Sequence, residues 1–250
     1  MKTMMNNPQE IRKPKFFGRR KGRTIRKAKN FLLENFLPRI RLYAEQKINL
    51  TECFTAPKER YCLEIGFGDG GHLAALAKNF PQTGFIGVEV YQNGVANLLN
   101  LLTGIKEGDA CGNAQDIHLL ADRTDNIRVF DDDVRLLFAN LPAAAFDKVY
   151  LLFPDPWPKK KHASRRFVNP QNLQELARLI KKGGILQIAT DHAVYKRWVM
   201  EQMRNNNDFV WTAKCSDDWR NPPADWAETK YQRKAIREGR KPVFFEYERI

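Results

Sequence analysis

Two kinds of residue in this chain have types and spacings suited to chemistry. One is a set of glycines beside acids; the other is a set of acids that end apolar runs. Between Tyr61 and Glu89 an apolar run (Tyr61, Cys62, Leu63, Glu64, Ile65) meets Gly66-Phe67-Gly68-Asp69-Gly70-Gly71. A helical pattern follows (Leu73, Leu76, Ala77, Phe80), Pro81 closes it, and a second apolar run from Phe85 to Val88 ends on Glu89. Glycines let the backbone turn sharply and approach a ligand where any Cβ would collide. An acid about twenty residues further on, at a strand's carboxyl end, can accept hydrogen bonds from both hydroxyls of a ribose.

Two ribose-containing cofactors fit this unit. Spaced as Gly66-x-Gly68-x-x-Gly71, it is a dinucleotide fingerprint; spaced as Glu64-x-Gly66-x-Gly68-x-Gly70, it is the glycine loop of S-adenosylmethionine (SAM) enzymes. Glu64 decides between them. A carboxylate two residues before the first glycine, pointing into the pocket, repels a pyrophosphate and attracts the ammonium or sulfonium of SAM. The plain alternative is a βαβ crossover whose glycine turn holds nothing.

Other strand-like runs also finish in acids: Ile127–Phe130 runs into Asp131-Asp132-Asp133, Lys148–Phe153 into Pro154-Asp155-Pro156-Trp157, and Ile185–Ala189 into Thr190-Asp191. In an open parallel sheet, ligands bind outside the carboxyl ends of the strands. Acids gathered on that edge repel one another unless they hold a ligand rich in donors, such as SAM or a guanine edge. Prolines on both sides of Asp155 fix the backbone and suit it to hold a ligand. Directly after it, Lys159, Lys160, Lys161, His162, Arg165 and Arg166 form a basic cluster. Its place beside the reaction edge favours phosphate contact over a merely solvated loop. His162, in that setting, is read as structural or RNA-contacting rather than as a base.

The elements that must position these groups alternate as strand and helix. Helices are expected from about Tyr91 to Ile105, from Pro170 to Lys181 with Gly183-Gly184 as its C-cap, and around Tyr195, Trp198, Val199 and Met203. The stretch 106–124 reads as Gly/Asp/Asn-rich and then helical. Phe209–Ala213 and Val243–Tyr247 read as closing strands around a polar, Trp-rich loop at 216–241. The expected fold is α/β: a doubly wound, Rossmann-like sheet of seven strands with the last pair antiparallel. A two-domain dehydrogenase would need about another hundred residues.

The 250 residues suffice for one substantial domain. No apolar run reaches membrane-spanning length, and the basic N-terminus lacks the apolar segment of a signal peptide. Four cysteines without CxxC pairing point to a reducing, cytoplasmic compartment, and four histidines without ligand spacing argue against a metal. Net charge is +13, and it is concentrated: residues 1–29 hold eleven Lys or Arg against the single acid Glu10. Residues 1–28 therefore read as a flexible basic arm and 29–250 as a single domain. A basic arm on a nearly neutral body is the footprint of a polyanion partner. Phe16 and Phe17 among the arginines favour an arm that contacts bases.

With these residues in view the chain resembles the bacterial tRNA (guanine-N7-)-methyltransferase family. The segments that carry the likeness are FGRRKGRTIR at 17–26, LEIGFGDG at 63–70, GVEV at 87–90, FPDPWPKKKHASRR at 153–166, ATD at 189–191 and TKYQRKA at 229–235. The resemblance implies SAM binding by Glu64, Gly66, Gly68, Gly70, Glu89, Asp155 and an Asp at 132 or 133 (Asp132, Asp133). It places the target guanosine against Lys159, Asp191 and the loop Thr229, Lys230, Tyr231, Gln232; from the basic cluster Arg165 and Arg166 are expected beside it, and Asp155 and Asp191 are the candidates for holding SAM and the guanine edge in line. The implied substrate is the guanine at position 46 in the tRNA variable loop. The expected setting is cytoplasmic, without metal or membrane, with monomer and homodimer both left open. Gln232 stands where the family usually has Glu. The alternatives are another SAM-dependent RNA methyltransferase, a nicotinamide-dependent oxidoreductase, and a tRNA-binding module without turnover.

Overall fold

The computed structural model describes residues 14–104 and 125–250. Seven strands form one sheet in the order β3-β2-β1-β4-β5-β7-β6. They are β1 (Arg60–Ile65), β2 (Thr83–Val88), β3 (Ile127–Phe130), β4 (Phe146–Leu152), β5 (Ile180–Thr190), β6 (Phe209–Trp211) and β7 (Val243–Arg249). The first five run parallel, while β7 lies antiparallel between β5 and β6. The sheet is thus the expected doubly wound, Rossmann-like sheet of seven strands, closed by an antiparallel pair. The order reverses between β1 and β4, the switch point where such sheets open a ligand crevice.

Parallel strands covered on both faces must be apolar on both, and β1 and β4 are. Leu63, Ile65, Val149 and Leu151 face a core filled by α5 (Pro170–Leu179) and α6 (Ala193–Arg204). Cys62, Tyr150 and Leu152 face the opposite core, shared with α1 (Lys27–Asn35), α3 (Gly71–Asn79) and α4 (Gln92–Thr103). A short helix, α2 (Leu37–Ile40), continues α1. α5 begins where Asn169 accepts the Asn172 backbone N–H, with Pro170 in its first turn.

Two expectations are corrected. Gly183-Gly184 does not cap the helix, which stops at Leu179; the glycines lie inside β5, where pairing jumps from Phe146↔Ile180 to Lys148↔Ile185. Gly183 takes φ +77°, so the pair forms the bulge that lets the strand resume register. The stretch 216–241 also holds two helices, α7 (Asp217–Arg220) and α8 (Lys230–Arg237). Thr229 caps α8, its Oγ1 accepting the Gln232 N–H at 2.9 Å. Thr229-x-x-Gln232 is therefore a helix start rather than a loop, a capping pattern that the Trp-rich composition hid. The expected helix within 106–124 lies outside the described residues.

Candidate active site

The glycine turn leaves β1 with Gly66, Gly68 and Gly70 at φ +73°, +61° and +77°, a conformation that side chains oppose. A Cβ on Gly70 would lie 2.6 Å from that of Leu98, because the turn is pressed onto α4. Gly66 N donates to the Val88 carbonyl at 2.8 Å, tying the turn to the end of β2. Beside Gly66 the space is open, with no atom within 4 Å of where a Cβ would stand. That opening is a candidate cradle, where a ligand has room to approach the backbone.

Glu89 closes the cradle. Its carboxylate accepts the Gly68 N–H at 2.7 Å and the Tyr91 N–H at 2.8 Å, and the residue is buried. Desolvation pushes its pKa up; those N–H groups oppose the rise, and the nearby charge of Asp155 adds to it. Tyr231, in the first turn of α8, reaches over the turn, its ring 3.0 Å from the Cβ position of Gly68. Burial raises the Tyr231 pKa, and the charges of Glu89, Asp69 and Asp155 raise it further.

Asp155 hangs in a strained, braced loop. Phe153 and Trp157 on either side of Pro154-Asp155-Pro156 take φ +51° and +40°, each at a cost of about 1–3 kcal/mol. Arg166 holds the loop in place: its guanidinium donates to the Pro156 and Trp157 carbonyls at 3.0–3.3 Å and stacks on Trp198. Arg166 is buried, so the phosphate contact expected of it does not fit; it is a brace. The Asp155 carboxylate makes no hydrogen bond among the described residues, and desolvation raises its pKa.

The other strand-end acids do not crowd together unpaired, as their positions had suggested. Glu64 is 3% exposed and accepts from or donates to His72 Nδ1 at 2.8 Å. It faces the His72 ring, which lies against Tyr150 and Trp226, instead of standing free in an open pocket. Asp131, Asp132 and Asp133 diverge to three arginines: Arg41 at 2.8 Å, Arg20 at 2.7 Å and Arg135 at 2.5 Å. Asp133 is buried and also accepts the Arg135 backbone N–H, so it caps a turn, while Asp132 stays a third exposed at the arm. Asp191 pairs with Arg240 at 2.6 Å. Pairing with basic side chains, as well as any ligand, relieves the repulsion on this edge.

The arm's described part lies along the same edge. Gln92 N donates to the Arg20 carbonyl and Gly22 N to Asn93 Oδ1 at the start of α4. The Arg165 guanidinium sits 4.6 Å from the Phe17 ring and 4.9 Å from that of Trp157, joining arm and loop. Lys159 and Lys230 are exposed, and Thr229 and Gln232 are buried. Gln232 Oε1 accepts the Trp226 indole N–H at 2.5 Å, so the amide serves the packing of α8. His162, edge-on to Trp157, has its pKa lowered by slight desolvation and by Arg165, Lys161 and Lys159. Neither His72 nor Arg240 was expected in the site. His72 follows Glu64 across a strand end, a glycine bend and a helix start, and Arg240 lies in a run of charges, so neither had a spacing to mark it.

The arrangement offers a cradle for a ribose-bearing ligand, two carboxylates without basic partners, and a basic rim. No group of three His, Cys, Asp or Glu among the described residues could hold a metal. A family model described as "Putative methyltransferase" matches residues 58–245. The tRNA (guanine-N(7)-)-methyltransferase of Rhizobium meliloti is 42% identical over 236 residues, covering 94% of each chain. That of Agrobacterium fabrum is 41% identical over 234 residues, covering 93% of this chain and 94% of the relative. That of Rhodospirillum rubrum is 38% identical over 242 residues, covering 94% and 88%.

Proposed function

Because the chain belongs to the tRNA (guanine-N(7)-)-methyltransferase family, we propose that it transfers a methyl group from SAM to N7 of guanine 46 in the variable loop of tRNA. The observation that carries the reading is the buried Glu89 carboxylate beside the open glycine cradle, with the charge of Asp155 near enough to raise its pKa further. Glu89 suits the ribose of a dinucleotide as well as that of SAM, and membership of a methyltransferase family favours SAM.

Bound SAM supplies an electrophilic methyl on a sulfonium. Glu89 takes the ribose hydroxyls, and Asp155 sits where its charge favours a neighbouring cation. Asp191 is the candidate for the guanine edge once its carboxylate leaves Arg240. Guanine N7 has an in-plane lone pair and no proton, so no side chain need act as a base. His162 accordingly has no proton to take. The work of the site is alignment of nucleophile, methyl and sulfur, with carboxylates stabilising positive charge as it moves onto the ring.

Lys159, Arg165 and the basic arm supply the tRNA side. No described helix is long and apolar enough to cross a membrane; the proposal is of a cytoplasmic monomer or homodimer. The test is transfer of labelled methyl from SAM into total tRNA, followed by chain cleavage at N7-methylguanine. Labelled tRNA that resists this cleavage would move the methyl off N7. Calorimetry that detects NAD binding and no SAM binding would sink the cofactor assignment.

A further inference from the structure

Beyond the arm and the loop after β4, a second basic feature borders Asp191. A cleft of about 750 Å³ opens between α6, α7 and the segment from α8 into β7. Its lining includes Lys196, Arg220, Arg240 and Lys241 and no carboxylate residue. Lys196, Arg220 and Lys241 have no acid partner among the described residues, whereas Arg240 is held by Asp191 and Glu238. Trp219 organises the cations: Lys196 Nζ lies 4.6 Å from its ring centre and the Arg220 guanidinium 5.0 Å. The indole itself stacks on core Phe245, with 17° between the planes. A ring fixed in this way steadies both cations where they would otherwise move freely. Like charges held together without counter-charges favour an anion.

We infer that this cleft binds the phosphate backbone of the tRNA substrate, on the far side of Asp191 from the arm. The inference rests on the proposed function and names a contact surface for it. The reaction edge then lies between two basic grips, Phe17–Arg165–Trp157 and Lys196–Trp219–Arg220, with Lys241 beside the second. Arg240 connects cleft and edge, because the guanidinium that lines the cleft is the one bonded to Asp191. A phosphate in the cleft therefore competes with Asp191 for Arg240, and its arrival frees the Asp191 carboxylate for the guanine.

The test is a full-length variant carrying Lys196→Gln, Arg220→Gln and Lys241→Gln, compared with wild type for total-tRNA binding over a range of salt. Each lost phosphate contact removes about 0.7–0.9 from the slope of log K against log salt. The variant is expected to bind tRNA at least tenfold more weakly at low salt, with a slope shallower by about two, and to bind SAM as wild type does. The single Arg220→Gln variant, at an exposed side chain, gives a smaller shift of the same sign if the triple variant fails to fold. Unchanged tRNA affinity, or weaker binding with an unchanged slope, overturns the inference. So does intact tRNA binding with loss of binding to polyglutamate, which would assign the cleft to an acidic protein. A wild-type protein that methylates no tRNA refutes the proposed function itself, whereas a wild type that does, beside an unaltered variant, refutes only the cleft.

Discussion

Glu89 must be ionised to accept two ribose hydroxyls, yet it sits where burial opposes ionisation. A carboxyl whose folded pKa lies above its unfolded one makes the folded state lose stability as pH rises from the unfolded value through the folded one. Hydroxyl donors favour the charged form and reverse that loss. SAM binding should thus release a proton and tighten as pH rises through the raised Glu89 pKa, levelling off above it. Calorimetry in buffers of different ionisation enthalpy measures the proton. Glu89→Ala should weaken SAM binding by about 1.5–3 kcal/mol for each charged bond lost and leave tRNA binding intact. Full SAM affinity in a folded Glu89→Ala protein would end the assignment. The Glu64–His72 pair makes a different statement, about stability. Both side chains are 2% exposed, so His72→Leu strands a buried carboxylate and should cost about 3–5 kcal/mol. Adding Glu64→Leu should recover much of that in urea unfolding; no recovery would mean that the two are not coupled.

At the level of elements, function depends on pieces pinned to the edge from outside the sheet. The loop after β4 is held at one end by Arg166 and at the other by α6, where Trp198 Nε1 donates to the Val168 carbonyl at 2.6 Å. The arm closes over the same loop through Phe17 and reaches α4 through Arg20 and Gly22. Deleting residues 1–24 should weaken tRNA binding and flatten its salt dependence, because phosphate contacts go with it. SAM affinity should change little. Parallel salt plots for truncated and intact protein would show that the arm is no phosphate clamp. Asp191→Asn breaks the tie to α8's trailing segment as well as the proposed guanine contact. Single-turnover transfer should then slow by a factor of tens or more while SAM affinity holds; an unchanged rate would remove Asp191 from the chemistry.

For the molecule as a whole, the consequence of a proton-free nucleophile is a flat pH response. The chemical step in saturating SAM and tRNA should show no ascending limb between about pH 6 and 8. A limb that vanishes in His162→Ala would make His162 a base after all. The net charge of +13, with eleven Lys or Arg among residues 1–29, predicts that apparent tRNA affinity falls steeply with salt while SAM affinity does not.

The sheet could be read from the chain because local rules decide it. Apolar runs of strand length, glycines that only a turn explains, and acids at strand ends are all short-range patterns, and they located β1 to β5, the glycine turn and the place of Glu89 just after β2. The basic arm and the proline-flanked Asp155 were legible for the same reason, since charge density and fixed backbone angles are properties of a few neighbouring residues. Tertiary structure alone decided which charges remain unpaired. Arg20 meets Asp132, Arg41 meets Asp131 and Arg240 meets Asp191 only after the chain has folded back across tens of residues. Arg166 looked like its neighbours Lys161 and Arg165, yet burial against Trp198 turned it into a brace. A charge's role depends on its distance to the next charge and on the water left around it, and linear spacing encodes neither.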